Sequence, residues 1–166
     1  MVNNAKMEEN APHVAIIGLG TIGLAIAEQV MRCCVECSFF LGHNDSHNSM
    51  CISQAAAKGA KRIIGVDKSP SKEDLGKRFA GDNFEFVNPD KHPDKSVDEI
   101  LVDKSGSGGV AYCFEAVGSI GTMEASVRSV HKGGGVTCLV GVAPSGQKMS
   151  LPPVSVVCFQ RDVSSL

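Results

Sequence analysis

The chain has 166 residues and a formal net charge of −2, which suits one domain and gives no general attraction for nucleic acid or an anionic membrane. No uninterrupted apolar run approaches the ~20 residues of a membrane-spanning helix. The N-terminal stretch MVNNAKMEEN is polar and mixed in charge, unlike a signal or transit peptide. We therefore expect a cytoplasmic protein with a disordered tail over residues 1–12 and seven reduced cysteines.

The first predicted strand covers residues 13–18 and leads through a glycine turn into a helix that starts near Thr21, in the sequence HVAIIGLGTIG. Its β-branched residues suit a buried parallel strand. In the pattern G-x-G-x-x-G, Gly18 allows the tight turn, Gly20 lets a diphosphate approach the backbone, and Gly23 lets the helix pack close to the strand. The free N–H groups at the helix N-terminus would then bind the anion.

A second predicted strand, RIIGV at residues 62–66, ends in Asp67. An acid at this place accepts hydrogen bonds from both hydroxyls of an adenosine ribose and repels a 2′-phosphate, so it favours NAD over NADP. Strand, glycine turn, helix, strand and acid together predict an α/β fold of the Rossmann type, a doubly wound parallel sheet that binds a dinucleotide. The alternative is a glycine-rich βαβ unit that binds nothing.

The spacing inside this unit is abnormal, because Asp67 lies 44 positions after Gly23 where about 20 are expected. Removing residues 30–54 restores normal spacing. This inserted segment holds four of the seven cysteines. It begins with Val, whose codons start with GT, and ends with Gln, which can be encoded by CAG. GT and AG are the two ends of an unspliced intron. We therefore hypothesise that it is a retained intron read in frame, and an uninterrupted exon across residues 29–55 of the gene would refute this.

The inserted segment has two further interpretations. It could lengthen the first helix, since apolar residues recur at helical spacing as far as Cys37. It could also hold a metal, since it contains Cys34, Cys37, His43, His47 and Cys51. The gap between its cysteine and histidine pairs is much shorter than in a zinc finger, and this favours adventitious binding by exposed thiols over a specific site.

Beyond Asp67 the pattern continues to alternate between helices and strands. We predict a helix at 71–80 capped by Ser69 or Ser71, a strand at 84–87, a helix at 96–104, a strand at 110–115, a helix at 121–130 and a strand at 136–142. From residue 151 the pattern is unclear, although 154–159 could be a short edge strand. We expect about five strands, the last one missing or irregular, in a nucleotide-binding domain at 13–150, followed by an irregular tail at 151–166.

Two charged residues have alternative interpretations. Lys72 lies five residues after Asp67, close enough to reach the adenosine hydroxyls, but it could equally be a solvated surface lysine. Glu115 ends the predicted fourth strand, at the edge where ligands of such sheets bind. It could be a catalytic acid, but an acid here more often accepts hydrogen bonds from backbone N–H groups, and we favour that role.

Several segments resemble the cofactor domain of zinc-dependent alcohol dehydrogenases of the medium-chain dehydrogenase/reductase family. Their residues are similar to those of the plant branch of this family. They are GLGTIGLAIAE, RIIGVD, FEFVNP, FEAVG, VHKGGG and LVGVAPSG. The resemblance covers residues 14–29 and 55–149. It implies hydride transfer between a primary alcohol or aldehyde and NAD in the full enzyme.

The resemblance also implies roles for individual residues. The diphosphate would be held by the three motif glycines with the backbone at Thr21 and Ile22. Asp67, assisted by Lys72, would bind the adenosine ribose, and Val117 would flank the adenine side of the groove. Val140, Gly141 and Val142 would border the nicotinamide, with the Val142 backbone offered to the carboxamide.

The chain also departs from this family. Members have an N-terminal catalytic domain with zinc ligands, whereas no cysteine precedes Gly18 here. We therefore expect no metal ligand and no catalytic residue in this chain, which would be inactive alone. Besides a cofactor half of such an enzyme, it could be a non-catalytic NAD-binding module that associates with full-length dehydrogenase subunits, or a mis-spliced fragment without function.

Overall fold

A computed structural model describes residues 13–32, 60–153 and 162–165. In them a parallel sheet has six strands in the order β3-β2-β1-β4-β5-β6. The strands are β1 (His13–Ile17), β2 (Arg62–Val66), β3 (Phe84–Val87), β4 (Tyr112–Glu115), β5 (Val136–Leu139) and β6 (Asp162–Ser165). The α-helices of the described part are α1 (Thr21–Arg32), α2 (Lys72–Ala80), α3 (Val97–Ser105) and α4 (Ile120–Ser129).

Both faces of the sheet are covered, because successive side chains of a strand point to opposite sides. On β1, Val14 and Ile16 join one apolar cluster with Leu24 and Ile26 of α1. The intervening residues of β1, Ala15 and Ile17, join a second cluster that includes Ile100 and Leu101 of α3. Helix α1 packs beside α2, and α3 packs beside α4. This arrangement confirms the predicted doubly wound α/β fold of the Rossmann type.

The strand order reverses between β1 and β4. From β1 the chain proceeds outward through β2 and β3, and it then returns to β4 beside β1 before continuing to β5 and β6. In open parallel sheets the crevice at such a reversal, outside the carboxyl ends of the strands, is where ligands bind. The turns that follow β1 and β4 therefore form the two walls of the candidate site.

The inserted segment does not disturb the pairing of the strands on either side of it. Strands β1 and β2 pair in parallel along their whole length, from His13 opposite Arg62 to Ile17 opposite Val66. Most of residues 30–54, including the cysteines and histidines considered as metal ligands, lies outside the described residues, as does the predicted tail at 1–12. The retained intron therefore stays a hypothesis.

The expectation of a missing or irregular last strand is wrong. Asp162–Ser165, inside the tail predicted as irregular, forms β6 and pairs in parallel with β5, with Val136 opposite Asp162. The sequence DVSS has a single strongly apolar residue, so periodicity could not identify it. Its pairing comes from the backbone groups of the β5 edge, which need partners from elsewhere in the chain. The alternative edge strand at 154–159 lies outside the described residues.

Two other local predictions also need correction. Strand β5 ends at Leu139 and not at residue 142, because the carbonyl of Glu115 accepts from both Val140 N (2.8 Å) and Gly141 N (2.9 Å) and so ends the regular ladder. Helix α2 starts without a side-chain cap. The hydroxyls of Ser69 and Ser71 bond to each other at 2.9 Å, and the first N–H groups of α2 bond instead to the carbonyls of Ser69 and Pro70.

Helix α3, in contrast, starts with a complete capping box. The Ser96 side chain accepts from the backbone of the first turn, and Glu99 accepts from the Ser96 backbone N–H at 2.8 Å. This reciprocal arrangement satisfies two N–H groups that the helix leaves unpaired. None of the described helices is both long and apolar enough to cross a membrane.

Candidate functional site

The glycine turn after β1 is held in place by strand β2. Gly18 has a left-handed backbone (φ +95°), which favours glycine, and its N–H donates to the Val66 carbonyl at 2.8 Å. A Cβ built on Gly23 would collide with the Gly18 carbonyl. Gly18 and Gly23 are therefore required by the turn itself.

Gly20 differs from these two glycines. It is exposed, and a Cβ built on it would meet no protein atom within 4 Å. The protein therefore does not need glycine here for packing, and the space beside Gly20 is open. A diphosphate that contacted the backbone at this place would fill the space that a side chain would take.

Asp67 lies directly against the glycine turn. Its Oδ2 accepts from the backbone N–H of Leu19 at 2.8 Å, and its Oδ1 accepts from the N–H of Ser69 at 2.9 Å. The carboxylate is half-buried. Two backbone donors therefore fix its orientation at the carboxyl end of β2.

Charge at the helix N-termini distinguishes the crevice from the rest of the sheet. Helices α1 and α4, which follow β1 and β4, have no acidic residue in their first turns. Helices α2 and α3 each have two there. An acidic side chain in the first turn offsets the positive end of a helix. At the crevice this offset is missing, so the N-terminus of α1 is suited to an external anion.

Three exposed apolar side chains belong to segments around the crevice. The exposed fraction is 52% for Ile22 in the first turn of α1, 54% for Val117 after β4 and 89% for Val142 after β5. A Cβ on Gly18 would meet Cγ2 of Val117 at 2.7 Å, so Val117 borders the glycine turn. The family resemblance implies that Val117 flanks the adenine, that Val142 borders the nicotinamide and that the backbone of Ile22 helps to hold the diphosphate.

The turns that follow β4 and β5 touch each other through their backbones. Gly118 has a left-handed backbone (φ +84°), and a Cβ there would meet the Val142 carbonyl oxygen at 2.6 Å. A Cβ on Gly141 would collide with the backbone of Gly118. The positions of Val117 and Val142 are therefore fixed by two turns that contact each other.

Glu115 has the acceptor role that the sequence favoured over a catalytic one. It is completely buried, and its Oε1 accepts from the backbone N–H groups of Val117 (3.0 Å) and Gly118 (2.9 Å). The hydroxyl of Thr122 also donates to it, at 2.8 Å.

The structure thus brings the glycine turn and Asp67 into contact and sets Val117 beside Gly18. Lys72 is the first residue of α2 and is partly buried. Sequence reasoning did not identify Leu19 or Thr122, and it considered Ser69 only as a helix cap and not as a partner of Asp67. The signal for Thr122 is weak but present, since the pattern S-x-x-T at Ser119 opens α4, with Thr122 N donating to the Ser119 hydroxyl at 3.3 Å.

Within residues 13–32, 60–153 and 162–165, no three histidine, cysteine or acidic side chains come together in a way that could hold a metal ion. Cys113 and Cys138, the cysteines whose burial the structure describes, are both inside the core. We therefore derive no chemical step through a metal from these residues.

Comparison with known sequences shows the family to which the chain belongs. The family model described as zinc-binding dehydrogenase matches residues 49–165. Alcohol dehydrogenase class-3 of Oryza sativa subsp. japonica is 39% identical over 155 residues, covering 93% of this chain and 33% of that protein. The protein of the same name from Dictyostelium discoideum is 38% identical, with 92% and 33% covered.

Solved structures agree on the fold. A zinc-binding dehydrogenase from Sinorhizobium meliloti 1021 bound to NADP superposes with a TM-score of 0.68 at 24% identity, over 93% of this chain and 37% of that one. Alcohol dehydrogenase TADH from Thermus sp. ATN1 superposes with a TM-score of 0.67 at 18% identity, over 94% and 36%. The chain spans about a third of the length of the curated relatives it matches. With more than half of its residues matched by the family model, the chain belongs to the zinc-binding dehydrogenase family.

Proposed function

We propose that this chain is an NAD(H)-binding domain and that the crevice between β1 and β4 holds the cofactor. The observation that carries the proposal is the contact between Asp67 Oδ2 and the Leu19 N–H. It brings an oriented carboxylate to the same turn that leads into the N-terminus of α1. An adenosine ribose and the adjoining diphosphate need these two groups side by side.

Each part of the cofactor has residues suited to it. The diphosphate lies at Gly18, Gly20 and Gly23 and at the backbone of Thr21 and Ile22. Asp67 binds the adenosine ribose with help from Lys72, while Val117 lies on the adenine side. The nicotinamide lies along Val140, Gly141 and Val142, three residues without a charged side chain.

The preference for NAD over NADP follows from the position of Asp67. The related structure from Sinorhizobium meliloti is bound to NADP, so the fold itself does not exclude NADP. Here the Asp67 carboxylate is fixed by two backbone donors and so would lie close to a 2′-phosphate. Repulsion between the two negative groups then disfavours NADP.

In a full-length protein this domain would supply the cofactor half of an alcohol dehydrogenase. The whole enzyme would transfer hydride between a primary alcohol or aldehyde and NAD, with zinc held outside the described residues. We assign the cofactor domain to residues 13–150 and the protein to the cytoplasm, where it would associate with full-length dehydrogenase subunits.

The test is a calorimetric titration of the chain with NADH. We expect saturable binding by the wild-type chain and its loss in Gly20→Val, because the new side chain would occupy the space of the diphosphate. Since a Cβ at Gly20 meets no protein atom, this variant should still fold, with a lower melting temperature only to the extent that valine is less favourable than glycine immediately before a helix. Absence of NADH binding by the folded wild-type chain would overturn the proposal.

Gly121→Val is the matched control. Gly121 lies in the first turn of α4, and Gly20 immediately precedes the first turn of α1. Both glycines are exposed and have open space where a Cβ would stand. Valine is no worse than glycine in a helix. This variant should therefore bind NADH as the wild type does, and a loss equal to that of Gly20→Val would contradict a specific diphosphate site.

A further inference from the structure

The carboxyl group of Glu115 is buried in the candidate site, and the proposed cofactor contacts do not involve it. Its side chain is fully buried at the end of a central strand, where burial of an acid is costly unless its oxygens are paired. One oxygen is paired three times and the other, Oε2, has no partner among the described residues. A group retained at such a cost needs a structural or functional reason.

The contacts of Oε1 show what this side chain holds. Two come from consecutive backbone N–H groups, Val117 and Gly118, and therefore fix the path of the chain immediately after β4. The third comes from Thr122 and attaches the same turn to the first helical turn of α4. Without this acceptor, two backbone donors would be left without these hydrogen bonds at the mouth of the crevice.

The second turn of the site is attached to the same residue. The main-chain carbonyl of Glu115 accepts from Val140 and Gly141, and a Cβ on Gly141 would lie 2.6 Å from Oε2. Gly118, held by the carboxyl group, is in turn pressed against the Val142 backbone. One residue thus fixes both turns that expose Val117 and Val142.

We propose that Glu115 is a positioning residue for the cofactor: its carboxyl group holds the β4 and β5 turns so that Val117 and Val142 form the apolar walls of the crevice. The inference rests on the proposed NAD(H) binding. Glu115 itself is buried beneath the turns and contacts no cofactor. Its effect on binding passes through the backbone of Gly118.

The experiment compares NADH affinity in Glu115→Leu, Glu115→Gln and the wild-type chain by calorimetric titration at low temperature. Leucine removes every acceptor, whereas glutamine keeps one oxygen for the same donors. Leucine leaves both backbone donors without an acceptor, and glutamine replaces only one of the two oxygens. We therefore expect affinity about 10-fold or more lower for leucine and an intermediate loss for glutamine. The binding stoichiometry reports the folded fraction separately from affinity.

Thr122→Val provides a milder variant in case Glu115→Leu does not fold, and Thr137→Val is its matched control. The Thr122 hydroxyl lies 2.8 Å from Glu115 Oε1 and 2.9 Å from the Ser119 carbonyl oxygen, and so its one proton is shared between these acceptors. Thr137, buried in β5, donates to the Ser126 carbonyl at 3.1 Å. Both substitutions remove one hydroxyl. Only Thr122→Val should weaken NADH binding, by about 2- to 5-fold, and only it should accelerate hydrogen exchange at the amides of Val117 and Gly118.

The outcomes separate the two claims. If the wild-type chain binds NADH and the Glu115 and Thr122 variants bind it equally well, the positioning role is overturned while NAD(H) binding stands. Equal losses of affinity in Thr122→Val and Thr137→Val would also overturn it, since they would reflect general destabilisation. If the folded wild-type chain binds no NADH, both claims fall.

Discussion

The Leu19 N–H donates a hydrogen bond to Asp67 Oδ2 at 2.8 Å, although the two residues are 48 positions apart in the chain. The contact joins the glycine turn of β1 to the end of β2. It exists because β1 and β2 pair in register on either side of the inserted segment. The orientation of the Asp67 carboxylate is therefore a product of strand pairing.

Asp67→Asn should reduce the affinity for NADH and narrow the preference for NADH over NADPH. The amide oxygen can still accept from Leu19, but the charge that binds the ribose hydroxyls and repels a 2′-phosphate is lost. We expect about a 10-fold loss of NADH affinity, equivalent to ~1.4 kcal/mol. Parallel titrations with NADH and NADPH measure both effects.

Asp90→Asn is the control for charge alone. Asp90 is exposed and lies 3.6 Å from Lys68, the residue after Asp67. Its substitution removes one negative charge from the same region without touching the glycine turn. The cofactor preference should be unchanged, and an equal narrowing in both variants would argue against a specific role for Asp67.

Deleting residues 30–54 should leave NADH affinity within about twofold of the wild type. The candidate site lies at the carboxyl ends of the strands, whereas α1, whose last three residues are 30–32, ends at the opposite edge of the sheet, where β2 begins. Shortening a connection changes the closure free energy only slowly, by ~0.6 kcal/mol for each twofold change in length. Titration and thermal unfolding of the deletion variant are the measurements.

A second variant controls for length, with residues 30–54 replaced by a glycine-serine linker of equal length. It keeps the number of residues between position 29 and β2, and it replaces the last three residues of α1 together with the rest of the inserted sequence. We expect it also to bind NADH. If both variants remain folded but lose NADH binding, the inserted sequence itself contributes to the site and the prediction is wrong.

The acid stability of the chain should depend on Glu85. Burial opposes ionisation, but hydrogen bonds from Lys104 and Arg62 outweigh it and lower the pKa of Glu85 from its ordinary value of 4.5. The folded-state pKa is thus below that of the unfolded chain. The stabilisation is fully present above pH 4.5 and is lost as the pH falls through the folded-state pKa.

Glu85→Gln should therefore lower the free energy of unfolding by about 1 kcal/mol at neutral pH. The difference from the wild type should shrink as the pH falls below 4.5. Urea unfolding between pH 3 and 7 tests this. Glu73→Gln is the control: the Glu73–Lys77 ion pair is exposed, so its loss should change the free energy of unfolding less than Glu85→Gln does. A wild-type advantage that persisted in acid would contradict the ion-pair explanation.

Cys113 should resist alkylation in the folded chain. Burial raises the pKa of its thiol to about 12, so the reactive thiolate is scarce at pH 8 and the sulfur is inaccessible. Iodoacetamide followed by peptide mass spectrometry should find Cys113 unmodified in the native protein and modified in urea. Modification in the native state at the rate of an exposed cysteine would show that β4 is not buried as described.

Local sequence predicted most elements of the fold. The strands β1 to β3 and the helices around them follow from apolar periodicity and glycine punctuation, and Gly18, Gly20, Gly23 and Asp67 follow from one motif. The boundaries of the elements depend more on tertiary contacts. The predicted end of β5 was wrong by three residues, because the Glu115 carbonyl, distant in sequence, ends its ladder.

Residue types at short spacing are enough to predict the α/β class, the glycine turn, the acid after β2 and the acceptor role favoured for Glu115. Folding in three dimensions is needed for three other relationships: Asp67 meets Leu19, Glu115 contacts both Gly118 and Gly141, and Asp162–Ser165 completes the sheet. These three relationships join segments that are far apart along the chain. They depend on which backbone edges and buried polar groups meet after folding, and local periodicity does not encode that.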